Sequence, residues 1–486
     1  MLSLPLIAAL LGTVAAPPPN IVFVLADDLG YGEVGCFGQD IIQTPAIDAI
    51  AKDGAKLTAH WAGSPVCAPS RCVLLTGKHP GHAVVRGNWE NAGWGNDQPE
   101  GQYPMPLREV TMGEVLKDAG YATSFVGKWG NGGPGTQGHP NQQGFDHFYG
   151  YLCQRVAHNY YPTHLWRNGA KDPLPGNERW FSAHQKLTEP LDSDADYMDR
   201  FTSGTWACDA MIDEADEWMR EQVSAQQPFL LVYASPVPHL ALQVPPDRLD
   251  DIADMDEGPY LGGKGYLPHP RPRAAYVAMI QSFDEEIGQL MATLEELGVA
   301  DNTIVIITSD NGPSWVGGVD MNYFGSQGGL RGRKAQIWEG GLRVPTVVRW
   351  PGSVAPGTVI DVPSGFEDWL PTFAAAAGAP LPSGLDGIDL TDVLTGGDEP
   401  LRPLYREFAP TGSQAVRLGK WKAVRHQLKK GRLDIELYDL EADPAESNNV
   451  AASHPEVIAI MEQIMASSHE PSAVFPLATI DDQPAS

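Results

Sequence analysis

The chain has 486 residues, and 61 acidic against 33 basic side chains give it a formal charge of −28 and a pI near 4.7. That field repels nucleic acid and anionic membrane surfaces and excludes both as natural partners; an anionic small substrate needs a locally basic pocket. The 42% hydrophobic content suits a sizeable globular core, and the length suits one large domain with a smaller companion.

The chain opens with "MLSLPLIAALLGTVAAPPPN", whose apolar run is too short to span a bilayer and ends in small residues fit for cleavage. Residues 1–16 read as a secretory signal, although no Lys or Arg precedes the run, and the protein is expected to be periplasmic or secreted. Five β-branched apolar runs then read as buried strands: "NIVFVLA" (20–26), "ATSFVG" (122–127), "PFLLVYA" (228–234), "TIVIITS" (303–309) and "PTVVRW" (345–350). Helical patterns lie between them, among them 111–120 and 276–298, the latter closed by Gly298. Strands alternating with helices predict an α/β fold, a large mostly parallel sheet sandwiched by helices. Gly/Pro-rich stretches at 84–106, 130–170 and 247–273 read as long loops, where binding sites are often built. From about residue 365 the pattern changes to a helix ("DWLPTFAAAAGAP"), two β-segments ("AVRLGKWKAVRH", "LDIELYDLEADP") and a closing helix ("HPEVIAIMEQIMASS"). We expect a catalytic unit over 17–375 and an α+β subdomain with a small antiparallel sheet over 376–486.

The residues just beyond each strand carry the chemistry. In open parallel sheets, ligands bind beyond the carboxyl ends of the strands. Here those ends lead to Asp27-Asp28, to Lys128, through two prolines to His239, and to Asp310-Asn311. Each acidic pair alone reads equally as turn chemistry. Together on one rim, three carboxylates and an amide repel unless a cation sits among them, and an all-oxygen set suits Ca²⁺ or Mg²⁺. Lys128 and His239 alone are a surface lysine and a loop histidine; beside a metal they become candidates for anion binding and proton transfer.

The segment "SPVCAPSRCVLLTG" (64–77) holds two of the five cysteines. Pro69 suits a helical first turn and Gly77 a helix end, so Cys67 is expected just before a helix N-terminus, where negative charge is favoured. A Cys67–Cys72 disulfide is awkward there, and the ligands for zinc are too few; a nucleophile suits the position best. Pairing of Cys36, Cys72, Cys153 and Cys208 stays open.

"CAPSRCVLLTG" matches the pattern Cys-x-Pro-Ser-Arg-x-x-x-Leu-Thr-Gly, and the blocks "PNIVFVLADDLGYGEVGCFG", "GYATSFVGKW", "SDNG", "LRGRKAQIWEGGLRVPTVVRWPG" and "LYDLEADPAE" agree with it in order and spacing. In these blocks the chain resembles the type I sulfatases of the alkaline phosphatase superfamily, over nearly all of its length. The resemblance implies the alkaline phosphatase-like fold and conversion of Cys67 to formylglycine by a maturation enzyme. It also implies a metal site of Asp27, Asp28, Asp310, Asn311 and modified Cys67, with Ca²⁺ favoured over Mg²⁺. Arg71 then resembles the residue holding the hydrated aldehyde, Lys128 and Lys334 the sulfate-binding lysines, and His239 the histidine at the ester. One departure stands out: the family block often reads Lys-Trp-His, whereas here it is Lys128-Trp129-Gly130. His79 and His139 are weak replacements and read better as loop residues.

The aromatic loop 150–169, with His158, His164 and Arg167, suits a sugar ring as well as ordinary packing. It is similar to loops of bacterial arylsulfatase and N-acetylgalactosamine-sulfatase-like enzymes. The expected substrate is thus a sulfated mono- or oligosaccharide of galactose or galactosamine type, and Ser314-Trp315 stands where relatives often carry a histidine. Two other readings stay open: a phosphonate monoester or phosphodiester hydrolase, and a calcium-stabilised glycan-binding protein without catalysis.

Overall fold

The computed structural model describes residues 17–90, 100–255, 257–263, 265–397 and 401–481. The segment read as a signal, and residues 91–99, 256 and 264 of the long loops, lie outside the described residues.

Among the described residues, eleven strands precede residue 361: β1 (Asn20–Ala26), β2 (Ala55–Leu57), β3 (His60–Trp61), β4 (Ala122–Lys128), β5 (His147–Tyr151), β6 (His164–Arg167), β7 (Ala170–Pro173), β8 (Phe229–Ala234), β9 (Thr303–Ser309), β10 (Thr346–Arg349) and β11 (Thr358–Ile360). All but β3 join one sheet in the order β11-β2-β10-β9-β1-β8-β4-β5-β6-β7. The central block β9-β1-β8-β4-β5 is parallel. β1 shows why its sequence is apolar throughout. Ile21, Phe23 and Leu25 face one core and Val22, Val24 and Ala26 the other, so neither face meets water.

Two expectations need correction. The run at 345–350 forms β10, which is antiparallel to β9; an apolar run reports burial on both faces but not direction. The stretch 130–170 is no continuous loop, because β5 and β6 lie within it, and β6 runs antiparallel to β5, one strand in from the sheet edge.

The helices up to residue 300 are α1 (Pro45–Asp53), α2 (Cys67–Thr76), α3 (Met112–Asp118), α4 (Asp194–Phe201), α5 (Ala207–Ser224) and α6 (Pro272–Glu296), with others after them. α5 and α6 bury Met211, Ile212, Tyr276 and Ile280 on one face of the sheet, while α2, α3 and the helix Trp369–Ala377 cover the other. α6 ends as its glycine predicts: Gly298 has φ 69°, and its N–H donates to Glu295 O at 3.0 Å. α2 starts two residues earlier than Pro69 suggests, so Cys67 is its first residue instead of the one before it.

At the C-terminal end, β12 (Ser364–Gly365) pairs with β3, and β13 (Pro403–Phe408), β14 (Ser413–Leu418), β15 (Trp421–Arg425) and β16 (Ile435–Asp439) form an antiparallel meander. "AVRLGKWKAVRH" is therefore two strands joined by a turn at Gly419-Lys420. Met461 and Met465 of the helix Pro455–Ser467 pack on this sheet. Among the described residues no helix is long and apolar enough to cross a membrane.

Candidate active site

β1, β4, β8 and β9 run in one direction, so the residues at their carboxyl ends arrive at one rim. Asp27 and Asp28 come directly after β1, and Asp28 turns the chain sharply in a left-handed conformation, φ 70°. Lys128 ends β4, Asp310 and Asn311 come after β9, and β8 leads on to His239. Cys67 enters from α2, whose first turn is fixed by Asn88: its Oδ1 accepts the Ala68 N–H at 2.9 Å, satisfying a donor that the helix itself leaves open.

The side chains converge tightly. Cys67 Sγ lies 3.2 Å from Asp27 Oδ1, 3.5 Å from Lys334 Nζ and 3.8 Å from Lys128 Nζ. Lys128 donates to Asp27 Oδ2, and Lys334 Nζ stands 2.6 Å from Asp28 Oδ1. Arg71 donates through Nε and Nη2 to Asp310 Oδ2 at 3.1 and 2.9 Å, and through Nη1 to the Lys128 carbonyl. His239 Nδ1 donates to Leu240 O at 2.7 Å, leaving Nε2 turned to Asp28 Oδ2, 3.6 Å away. Lys334 is held against the nucleophile segment by its neighbour, because Ala335 N–H donates to Pro65 O at 2.8 Å.

Burial and charge set the protonation of these groups. Burial pushes the Cys67 thiol far above its ordinary range, and Asp27 and Asp310 push it further, so it is no thiolate at neutral pH. Burial also raises Asp27, but Lys128, His239 and Arg71 outweigh it and hold this carboxyl well below the usual carboxylate range. Asp310 goes the other way, raised by burial and by Asp27 beside it. His239 is drawn down to about 4, by burial first and then by Lys334 and Lys128, and is neutral at pH 7.

The donor set also fits a cation. Asp27, Asp28 and Asp310 are packed so closely that one of them is pushed toward protonation, and Asn311 Oδ1 is buried without a hydrogen-bond partner. An unmatched carbonyl oxygen among carboxylates is what a hard ion would satisfy. Asp27, Asp28, Cys67 and His239 each offer a ligand atom within 4.8 Å of the others.

The model of the family described as "Sulfatase" matches residues 19–379, and that of "N-sulphoglucosamine sulphohydrolase, C-terminal" matches 333–470. The chain belongs to the sulfatase family. With the family comes the activity: it is a hydrolase of sulfuric ester bonds with the alkaline phosphatase-like fold. It is 33% identical to "Arylsulfatase A" of Homo sapiens over 94% of this chain and 89% of that one. It is 30% identical to "N-acetylgalactosamine-6-sulfatase" of Canis lupus familiaris over 87% and 74%. Among solved structures, "Ps i-CgsB" superposes with a TM-score of 0.76 at 27% identity, covering 93% of both chains, and has also been solved with k-i-k-neocarrahexaose.

In this sulfatase the three residues singled out as sugar-facing part company. The His158 ring stacks on His239, with centroids 4.6 Å apart and 14° between planes, and so borders the site. His164 pairs with Glu100 at 3.0 Å. Arg167 is engaged by Glu214 and Asp172 and lies over the Tyr149 ring; none of these contacts reaches Cys67. His139 accepts the Asn141 N–H and bonds the Asn168 carbonyl, as a loop residue does. Gly130 has φ 87°, and the Gln154 amide fills the space into which a side chain at 130 would project. The sequence carries no signal for Gln154, since only the fold brings it there. All five cysteines are free of disulfides.

Proposed function

We propose that this sulfatase releases sulfate from a sulfated mono- or oligosaccharide of galactose or N-acetylgalactosamine type, using residue 67 as a formylglycine made from Cys67 by a maturation enzyme. Ca²⁺ is held by Asp27, Asp28, Asp310, Asn311 and modified residue 67. The observation that carries this reading is the state of Cys67. Its thiol lies at the centre of two lysines, an arginine and three aspartates, yet is held protonated and so is a poor nucleophile as it stands.

When bound, calcium neutralises charge on the sulfuryl oxygens and on residue 67. The hydrated aldehyde would supply two hydroxyls, one to take the sulfuryl group as its bond to the sugar oxygen breaks, and one to lose its proton to water as the carbon–oxygen bond to sulfate breaks and the aldehyde re-forms. The chain's own residues do the rest. Lys128 and Lys334 present two ammonium groups to the sulfate oxygens, offsetting the repulsion between an anionic ester and its nucleophile. Arg71, pinned by Asp310, fixes the first turn of α2 and with it the attacking atom. His239 has Nε2 free toward the site. An arriving sulfate ester adds negative charge beside that nitrogen and raises its proton affinity, so the ring can hand a proton to the leaving sugar oxygen. His158, stacked on His239, holds the ring plane and forms one wall for the sugar. The sulfated-saccharide substrate is supported by the neocarrahexaose complex of the similar structure and by the galactosamine-sulfatase relative.

The test is sulfate release from a panel of 4-O- and 6-O-sulfated galactose and N-acetylgalactosamine, mono- and oligosaccharide, against aryl sulfates and intact polymers. Turnover of the short sugars is expected; turnover confined to aryl sulfates or polymers would reject the sugar assignment. In the cell we place the protein in the periplasm or outside it.

A further inference from the structure

At the end of α2 remote from Cys67 the chain runs through Lys78-His79-Pro80-Gly81-His82 and crosses a second loop at Asp386. The Gly77 carbonyl accepts the N–H groups of Asp386 and Gly387 at 2.9 and 3.2 Å, and Asp386 Oδ2 accepts the His79 backbone N–H at 2.9 Å. This crossing brings together two imidazoles and a carboxylate, each offering a ligand atom within 4.8 Å of the others. His82 Nδ1 is 2.8 Å from Asp386 Oδ1, an ordinary hydrogen bond. His79 is different. Its Nε2 stands 3.7 Å from Asp386 Oδ1, beyond hydrogen-bonding reach, and its Nδ1 is buried with no partner, on a residue only 9% exposed. The ring is held in place by packing on His82 and Tyr405, with centroids 4.3 and 5.0 Å away. A histidine–aspartate pair accounts for His82 alone and leaves a buried imidazole unsatisfied, which is costly.

We propose that His79, His82 and Asp386 form a second metal site, for a divalent d-block ion such as zinc, which ties the end of α2 to the 385–388 segment. Two imidazole nitrogens and one carboxylate oxygen, with solvent completing the shell, form a zinc-type set, and imidazole selects such ions over Ca²⁺. The site is therefore distinct in chemistry from the oxygen-lined rim at Asp27. Burial draws His79 down to about 4, so its ring is neutral and ready to coordinate at pH 7. His82, raised by its hydrogen bond to Asp386, releases its proton to solvent as the ion binds.

The probe is Zn²⁺ alone, added to the mature, calcium-saturated protein. One zinc per chain is expected to survive dialysis against excess calcium and to raise Tm. X-ray absorption at the zinc edge should show nitrogen and oxygen ligands with imidazole scattering and no sulfur. His79→Gln and Asp386→Asn should each weaken zinc binding by at least about tenfold while zinc-free turnover is unchanged. Zinc that is not retained, that shows sulfur ligation, or that is retained equally by a folded His79→Gln protein would overturn the site. The absorption spectrum is read on the native chain, so the proposal stands or falls even where a variant does not fold.

Discussion

Lys334 carries much of the charge balance at the rim, and burial alone works against its charge. Asp28 first, then Asp27, hold it charged well above the ordinary lysine range. Lys334→Gln removes a cation that meets the developing sulfate charge, so kcat of the mature enzyme is expected to fall about 10²–10³-fold, read by sulfate release. Chelation with EGTA should abolish turnover and lower Tm, and calcium should restore both. Turnover persisting in EGTA would speak against the oxygen-rim cation. Asp27, Asp28, Lys128, Asp310, Asn311 and Cys67 are legible in the sequence because each ends or directly follows a core strand or opens a helix, so position in the chain stands in for position in space. Arg71 and Lys334 are legible only through the family resemblance. The stack of His158 on His239 and the Gln154 amide behind Gly130 are not legible, because their partners lie 81 and 24 positions away and no spacing rule joins them.

Helix and strand ends carry the next level. α3 begins with a full capping box: Thr111 Oγ1 accepts the Glu114 N–H at 3.3 Å, and Glu114 Oε2 accepts the Thr111 N–H at 2.9 Å. Thr111→Ala is expected to cost about 1 kcal/mol in urea unfolding. β3 gives a pH dependence. His60 Nε2 accepts the Trp369 indole N–H at 3.1 Å, so Nδ1 carries the proton and donates to Ser364 Oγ at 2.8 Å. Burial draws His60 down to about 3, whereas the unfolded ring titrates near 6.5. Between those values the unfolded chain binds a proton that the folded one refuses, so stability falls as the pH drops from about 6.5 toward 3. His60→Gln should remove up to about 1.4 kcal/mol per pH unit from that slope, measured by urea titrations at pH 7, 6 and 5. Strand existence was legible from unbroken apolar runs, since both faces of the central sheet are buried. The reversal of β10 was not, and the strands β5 and β6 hid in a stretch whose glycines, prolines and polar aromatics read as loop.

Across the whole molecule, the C-terminal sheet grips the segment that delivers Cys67. Arg406 of β13 forms a two-pronged pair with Glu367 at 2.9 and 2.7 Å, and its Nε donates to Ala62 O at 2.7 Å, five residues before the nucleophile. Lys422 of β15 is buried between Glu339 and Glu446, at 3.0 and 2.8 Å. Arg406→Met leaves Glu367 buried and unpaired and should cost about 3–5 kcal/mol, with the double variant Arg406→Met/Glu367→Leu recovering part of it in calorimetry. The helix Trp369–Ala377 packs Trp369 and Phe373 on Phe23 of β1, so it serves the large sheet, and we place the boundary of the catalytic unit near residue 375. The proposed reaction turns on one atom, the side-chain carbon of residue 67. The direct measurement is the mass of the peptide containing it, from chain produced with a formylglycine-generating enzyme, alongside turnover of the same preparation. The expected result is a peptide about 18 Da lighter than the cysteine form, with activity in proportion to the converted fraction. Full turnover from a preparation in which residue 67 is still a thiol would contradict the account.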